Sequence, residues 1–260
     1  MQLYPLKFQP LPKEKIWGGT RLNRVANHQS GHPQIGETWD VAALDDNDSE
    51  VVNGFLAENT LSELLEVYMS DLVGDKVYSK HGNNFPLLVK LIDATDKLSV
   101  QVHPNDEMAQ QNGERNGKTE MWYVLEAEPG AELISGFEKE VTPEEYQQYL
   151  ATGHIVSILH REKPQSGDLF FIPAGRVHAI GKGLLLAEIQ QASDCTYRLY
   201  DYNRPGSDGQ PRALHTAEAL DAIDYSVVRD ARTHYSYKPN ATTRLVECPY
   251  FVTSLVPLEK

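Results

Sequence analysis

Apolar residues alternate with polar ones from Leu98 to His103, with Leu98, Val100 and Val102 on one side and Ser99, Gln101 and His103 on the other. That period of two predicts a strand with one core face and one polar face, so Gln101 and His103 point the same way. Pro104-Asn105-Asp106 ends the strand, and a polar, partly helical excursion is expected up to Gly117. A second strand is predicted from Lys118 to Leu125, in which Lys118 and Glu120 share a face. Pairing of these two strands would bring Gln101, His103 and Glu120 to one cavity, with Lys118 at its rim.

The rest of the pattern is mostly strand, interrupted by two helical stretches. Thr60-Leu61-Ser62-Glu63 forms a capping box, and Leu61, Leu64, Leu65, Tyr68 and Leu72 follow at helical spacing. Thr142-Pro143-Glu144-Glu145 is a second helix start, with Tyr146, Tyr149 and Leu150 as its apolar stripe and Gly153 as its stop. Strands are predicted over 37–43, after a polar loop at 27–36, and over 85–92, a run that is apolar except for Lys90. Leu184 to Gln190 reads as a buried strand carrying one incongruous carboxylate, Glu188. Tyr197 to Tyr200 alternates again, Leu214 to Leu220 begins a short helix, and Arg244 to Leu258 looks like a further strand or two.

With 260 residues the chain suffices for one sizeable domain, or for one core domain with an appended piece. A net charge of −13 argues against nucleic-acid or anionic-membrane partners, and it requires any site for a phosphorylated ligand to gather positive charge locally. No run approaches the ~20 apolar residues of a membrane span, the start lacks the pattern of a secretory signal, and Cys195 and Cys248 have no CxxC spacing. A cytoplasmic protein is therefore expected.

Residues 167–178 read G-D-x-x-x-x-P-x-G-x-x-H: a turn, an apolar strand, a Pro/Gly corner and then His178 at the strand's mouth. This resembles the second motif of the cupin barrels, whose first motif usually supplies two His and a Glu; here Gln101 stands in place of the first His. Together with KEKIWGG, FPLLVKLIDA, SVQVHPND, GKTEMWYVL, PAGRVHAIGKG and SDCTYRLYDYNRPG, the chain resembles the type I mannose-6-phosphate isomerase family in its short bacterial form, over nearly all of residues 5 to 255. The resemblance implies a mainly β fold, a cupin-type β-barrel or jelly roll with helical insertions near 60–80 and 142–153. Residues 1–240 would form the catalytic domain and 241–260 the start of a C-terminal β section. Family members continue into a second cupin section that this chain stops short of, and an edge exposed there would favour self-association, so a monomer or weak homodimer is expected.

The resemblance further implies one Zn2+ per chain, held by Gln101, His103, Glu120 and His178, and a small phosphorylated sugar as substrate, mannose 6-phosphate exchanging with fructose 6-phosphate through an enediolate. Such chemistry needs a base for the carbon-bound proton, a positive centre for the developing oxyanion and a phosphate holder. Glu188 is the candidate base or its partner, and its bland alternative is a buried ion pair with Arg198. Lys118 and Arg198 are candidates for phosphate holding or charge stabilisation. The bland alternatives are a solvated strand end for Lys118 and a salt bridge to Asp194 or Asp201 for Arg198. Ser99 lies on the ligand face and is a substrate-binding candidate; Trp17 is either core packing or the pocket rim. His103, Glu120 and His178 alone also suit non-heme iron, so an iron-dependent cupin oxygenase is one rival reading, and a non-catalytic sugar-phosphate-binding cupin is another.

Overall fold

Runs that alternate apolar with polar positions pair into antiparallel sheets because only one face of each needs a core. The computed structural model describes residues 3–25, 34–44 and 46–259; most of the polar loop predicted at 27–36 lies outside these. The chain opens with β1 (Leu11–Gly19), α1 (Leu22–Val25) and β2 (Ile35–Val41), followed by a small ladder of β3 (Ala43–Leu44) and β4 (Asn47–Asp48). Short helices α2 (Leu61–Tyr68), α3 (Ser70–Val73) and α4 (Asp75–His81) precede β5 (Leu87–Ala94) and β6 (Val100–Val102). Then come α5 (Asp106–Gln111), β7 (Glu120–Ala127), β8 (Leu133–Phe137), α6 (Pro143–Ala151), β9 (Leu159–Glu162) and β10 (Leu169–Ile172). The chain continues with β11 (His178–Ile180), β12 (Leu184–Gln191), β13 (Tyr197–Tyr200), α7 (Thr216–Ala222) and a hairpin of β14 (Thr243–Glu247) with β15 (Val252–Leu255).

Two sheets result, in the orders β1-β2-β5-β12-β7-β10 and β13-β6-β11-β8-β9. Their facing sides bury Ile92, Trp122, Val124, Phe170, Ile172 and Leu186 from the first against Leu98, Leu133 and Ile180 from the second. The fold is the mainly β jelly roll expected, with facing sheets that do not join into a closed barrel among the described residues. The outer face of the second sheet (Val100, Val102, Ala179, Leu199) is covered by Tyr146 of α6, Ala219 of α7 and their neighbours, so α6 is an insertion outside the sheets, as its place between the Glu120 strand and the Gly167 motif predicts. The C-terminal hairpin packs Leu245, Val246 and Phe251 onto Met121 and Leu169, on the outer face of the first sheet.

Both predicted capping boxes form: Thr60 with Glu63, and Thr142 with Glu145. Each hydroxyl and carboxylate satisfies backbone N–H groups that the first turn leaves without partners. The first helix ends at Met69, in a positive-φ conformation (49°), rather than running on to Leu72. Leu72 nonetheless reaches the same apolar cluster from α3.

Two expectations are overturned. Leu98 does not share a side with Val100 and Val102: it packs between the sheets, ahead of β6, whereas they pack on the outer face of the second sheet. The strand from Leu98 and the strand from Lys118 do not pair: β6 bonds to β11 and β13, whereas β7 bonds to β10 and β12 in the opposite sheet. Their polar faces still meet, because the two sheets look at each other. Lys118 itself lies just ahead of β7.

Asp40 on β2 supplies a pH prediction. Burial pushes its carboxyl up to about 6, against hydrogen bonds from the Thr38 hydroxyl (2.9 Å) and the Leu91 N–H. A carboxyl whose pKa is raised by folding favours the native state while protonated, so this contribution is lost as pH rises from about 4 to about 6. Asp40→Asn should remove that slope and raise stability at pH 7.5 by roughly 1 kcal/mol, measured by urea unfolding at several pH values.

Candidate metal centre

The Pro173–Gly175 corner delivers His178 as the first residue of β11, where it sits opposite Gln101 of β6. Gly175 has φ +88°, a conformation costly for residues with a Cβ, and its N–H donates to the His103 carbonyl at 2.9 Å. The corner is thus tied directly to the segment carrying His103. Glu120, first in β7, reaches in from the other sheet.

The ligand atoms of His103, Glu120 and His178 all lie within 4.8 Å of one another. All three residues are essentially inaccessible to solvent. Each imidazole is fixed by a backbone carbonyl: His103 Nδ1 donates to Cys195 O at 3.0 Å, and His178 Nδ1 to Arg176 O at 2.8 Å. Both Nε2 atoms are therefore unprotonated and aimed at Glu120, at 3.5 Å from Oε2 for His103 and 3.3 Å from Oε1 for His178. The Gln101 amide nitrogen lies 3.2 Å from His178 Nε2, so Gln101 reaches the same point. Lys118 Nζ donates to Glu120 Oε2 and to His103 Nε2 (2.9 Å). Glu120 Oε1 is buried with no hydrogen-bond partner.

Burial, aided by the Lys118 ammonium, pushes the His103 imidazole down to about 3, and burial also lowers His178. Burial works the other way on Glu120, yet the Lys118 ammonium holds its carboxyl well below the usual range. Two neutral imidazoles and one carboxylate are the protonation states a divalent cation requires. An orphaned carboxylate oxygen facing an imidazole lone pair is costly unless something positive lies between them. The residues present therefore fit a metal ion.

A cleft of about 160 Å³ opens beside this centre, lined by Trp17, Ser99, Gln101, Lys118, Glu188 and Arg198 among others. All the substrate and catalytic candidates from the sequence are thus brought together. Trp17 satisfies both of its readings, being 3% exposed in the core and also part of the cleft wall.

Across the first sheet, Trp39, Lys90, Glu188 and Trp122 stand in one register row. Glu188 is accordingly paired with Lys90 (3.5 Å) and accepts from Trp122 Nε1 (2.8 Å), not with Arg198 as its bland alternative had it. Lys90 also lies 3.8 Å from Glu37, which accepts from Trp39 Nε1 at 2.8 Å and is 3.5 Å from Lys15. The two carboxylates diverge. Burial would raise Glu37, but Lys90 and Lys15 outweigh it and hold its carboxyl down at about 2. Glu188 is raised by burial and by the nearby Glu120 charge. For Lys90 burial opposes the charge, and Glu37 and Glu188 overcome it to hold the ammonium above its ordinary range.

Sequence reasoning missed Lys90 and Glu37 as site residues, although a lone lysine in an apolar strand was a usable signal. Lys90→Met would leave Glu188 and Glu37 with less compensation in a buried place. We expect a loss of about 3–5 kcal/mol, read by chemical denaturation, because removing one partner of a buried ionic cluster strands the others.

Arg198 forms no salt bridge to Asp194 or Asp201, contrary to its bland alternative. Asp201 is engaged by Arg204 and Arg212, while Arg198 Nη1 donates to Ala213 O at 2.9 Å and its buried Nε has no partner. Among the described residues it has no carboxylate within ion-pair distance, so its charge is available to the cleft.

Comparison with known proteins gives the same picture. The profile of the phosphomannose isomerase type I catalytic domain matches residues 5–135. The mannose-6-phosphate isomerase ManA of Bacillus subtilis is 43% identical over 255 residues, covering 96% of this chain and 78% of ManA. A mannose-6-phosphate isomerase of Streptococcus mutans is 39% identical, covering 95% of this chain and 77% of its own. The crystal structure of the B. subtilis mannose 6-phosphate isomerase superposes with a TM-score of 0.87 at 36% identity, covering 97% of this chain and 79% of that one. With the fold, the candidate metal-binding group and these relatives in agreement, the chain belongs to the type I phosphomannose isomerase family.

Proposed function

We propose that the protein is a zinc-dependent aldose–ketose isomerase interconverting mannose 6-phosphate and fructose 6-phosphate through an enediolate. The observation that carries this reading is the convergence of His103, Glu120 and His178 at the head of a cleft that also holds Lys118, Glu188 and Arg198. Gln101, His103, Glu120 and His178 would hold the ion, with the Gln101 amide, whose nitrogen faces His178 in the structure, turned to present its oxygen. When bound, zinc supplies Lewis acidity toward the sugar oxygens and orients them.

The remaining roles belong to the chain's own side chains. Glu188 is buried and its pKa is raised, which suits a carboxylate that takes a carbon-bound proton near neutral pH and returns it to the neighbouring carbon. Lys90 and the Trp122 indole N–H keep that carboxylate in one orientation. Lys118 places an ammonium beside the centre, where it stabilises developing oxyanion charge. Arg198, whose guanidinium donates to Ala213 O but is paired with no carboxylate among the described residues, holds the substrate phosphate, and Ser99 and Trp17 line the path of the sugar. In this reading residues 1–240 are the catalytic domain and 241–260 open a further β section.

Conversion of mannose 6-phosphate in D2O tests the chemistry. Proton transfer through a base predicts deuterium at the C1 or C2 carbon of the product, by NMR. Solvent deuterium at either carbon supports base-mediated transfer through the enediolate, whereas absence of turnover together with oxygen consumption and bound iron would contradict it and favour the oxygenase.

A further inference from the structure

Behind the candidate metal centre lies a buried pair of amides that the reaction does not call for. Gln190 ends the inward face of β12 opposite Glu120, and Gln191 follows it; both are buried. Gln190 Nε2 donates to two backbone carbonyls, Gln191 O at 2.9 Å and Ser193 O at 2.6 Å. Carbonyls only accept, so the amide can face them one way alone, and its Oε1 is left buried with no partner. Burying an amide half satisfied disfavours the fold compared with an apolar side chain of the same size. Its two donated bonds must therefore secure something.

They secure the loop that leaves β12. Ser193 Oγ accepts from Cys195 N at 3.2 Å, and Cys195 O receives the His103 Nδ1 proton at 3.0 Å. The same loop sets Asp194 and Thr196 in the cleft wall. Gln191 works on the other ligand segment: its Oε1 accepts from Thr119 N at 2.9 Å, next to Glu120 and Lys118, and its Nε2 donates to Asp106 Oδ1 at 2.8 Å. Asp106 also accepts from Gly117 N at 2.8 Å. Gly117 packs so tightly on Pro104 and Asn105 that an added Cβ would lie 2.5 Å from the Asn105 carbonyl carbon. The two glutamines thus hold both ends of the excursion between His103 and Glu120.

We propose that Gln190 and Gln191 are positioning residues for the metal ligands: Gln190 fixes the loop whose Cys195 carbonyl sets the tautomer and direction of His103, and Gln191 fixes Thr119 and hence the start of β7 at Glu120. The effect on metal affinity rests on the zinc reading; the effect on His103 does not.

Gln190→Met keeps the side-chain volume and removes the donors. In the metal-free protein, long-range 1H–15N NMR of the imidazoles should show His103 changing from the Nδ1–H form to a tautomeric mixture, with His178 unchanged. Zinc affinity, by competition with a chelator, should fall roughly 10- to 100-fold, the usual effect of removing a group that orients a ligand. Gln191→Met should weaken zinc by a similar factor while leaving the His103 tautomer in place. An unchanged His103 spectrum in Gln190→Met, or a lowered Tm as the only change in both variants, would overturn the proposal. Failure of the unaltered protein to bind zinc would contradict the zinc reading alone, because the tautomer comparison decides the positioning role without metal.

Discussion

Replacing His178 by Ala should abolish stoichiometric metal binding and lower kcat for mannose 6-phosphate isomerisation by roughly 10³-fold or more. His178 Nε2 faces Glu120 Oε1 at 3.3 Å from the opposite sheet, and without it the remaining ligands span an open side. A Lewis acid at a developing oxyanion contributes several kcal/mol, and each 1.4 kcal/mol is about tenfold in rate. Bound metal is measured by elemental analysis after gel filtration, and the rate by coupled assay. The truncation also removes packing against Trp122 and the contact with Gln101, so circular dichroism checks that the variant is folded. Full metal and a normal rate in the folded variant would place the centre elsewhere.

The second large effect is expected at Glu188. Glu188→Gln keeps the shape and an acceptor for Trp122 Nε1 but removes the basic oxygen. We expect kcat to fall about 10²- to 10⁴-fold with KM within a few-fold, and zinc content unchanged. Deuterium wash-in should fall with turnover. A merely structural Glu188, serving only to neutralise Lys90, would instead give a destabilised enzyme with near-normal kcat per folded molecule. The Lys90→Met variant provides the contrast, because it disturbs Glu188 without removing it.

The faces of the strands were legible in the sequence, since the period of two that orients side chains is a local property. That is why Ser99, Gln101 and His103 fall on one side, although Leu98 joins them instead of Val100 and Val102; the Pro/Gly corner before His178 and the two capping boxes are equally local signals. Strand pairing is a long-range property, and no local pattern reports it: β6 and β7 are near neighbours in sequence, yet they lie in opposite sheets. The expected convergence survives the wrong pairing because facing sheets present inward side chains to each other just as paired strands do. The partner of Glu188 was hidden for the same reason. Lys90 is nearly a hundred residues away and becomes its neighbour only through the β5–β12 register, which also frees Arg198 for the cleft. Gln190 and Gln191 gave no signal at all, because glutamines at the end of an apolar strand read as its polar boundary.

A catalytic zinc ion held by His103, Glu120 and His178, with Gln101, ties metal content to turnover. The most direct measurement is elemental analysis of the protein purified from metal-replete medium, with mannose 6-phosphate turnover followed before chelation, after chelation and after zinc is restored. Close to one zinc per chain is expected, with activity lost with the metal and recovered with it. Full activity in chelated, metal-free protein would contradict it.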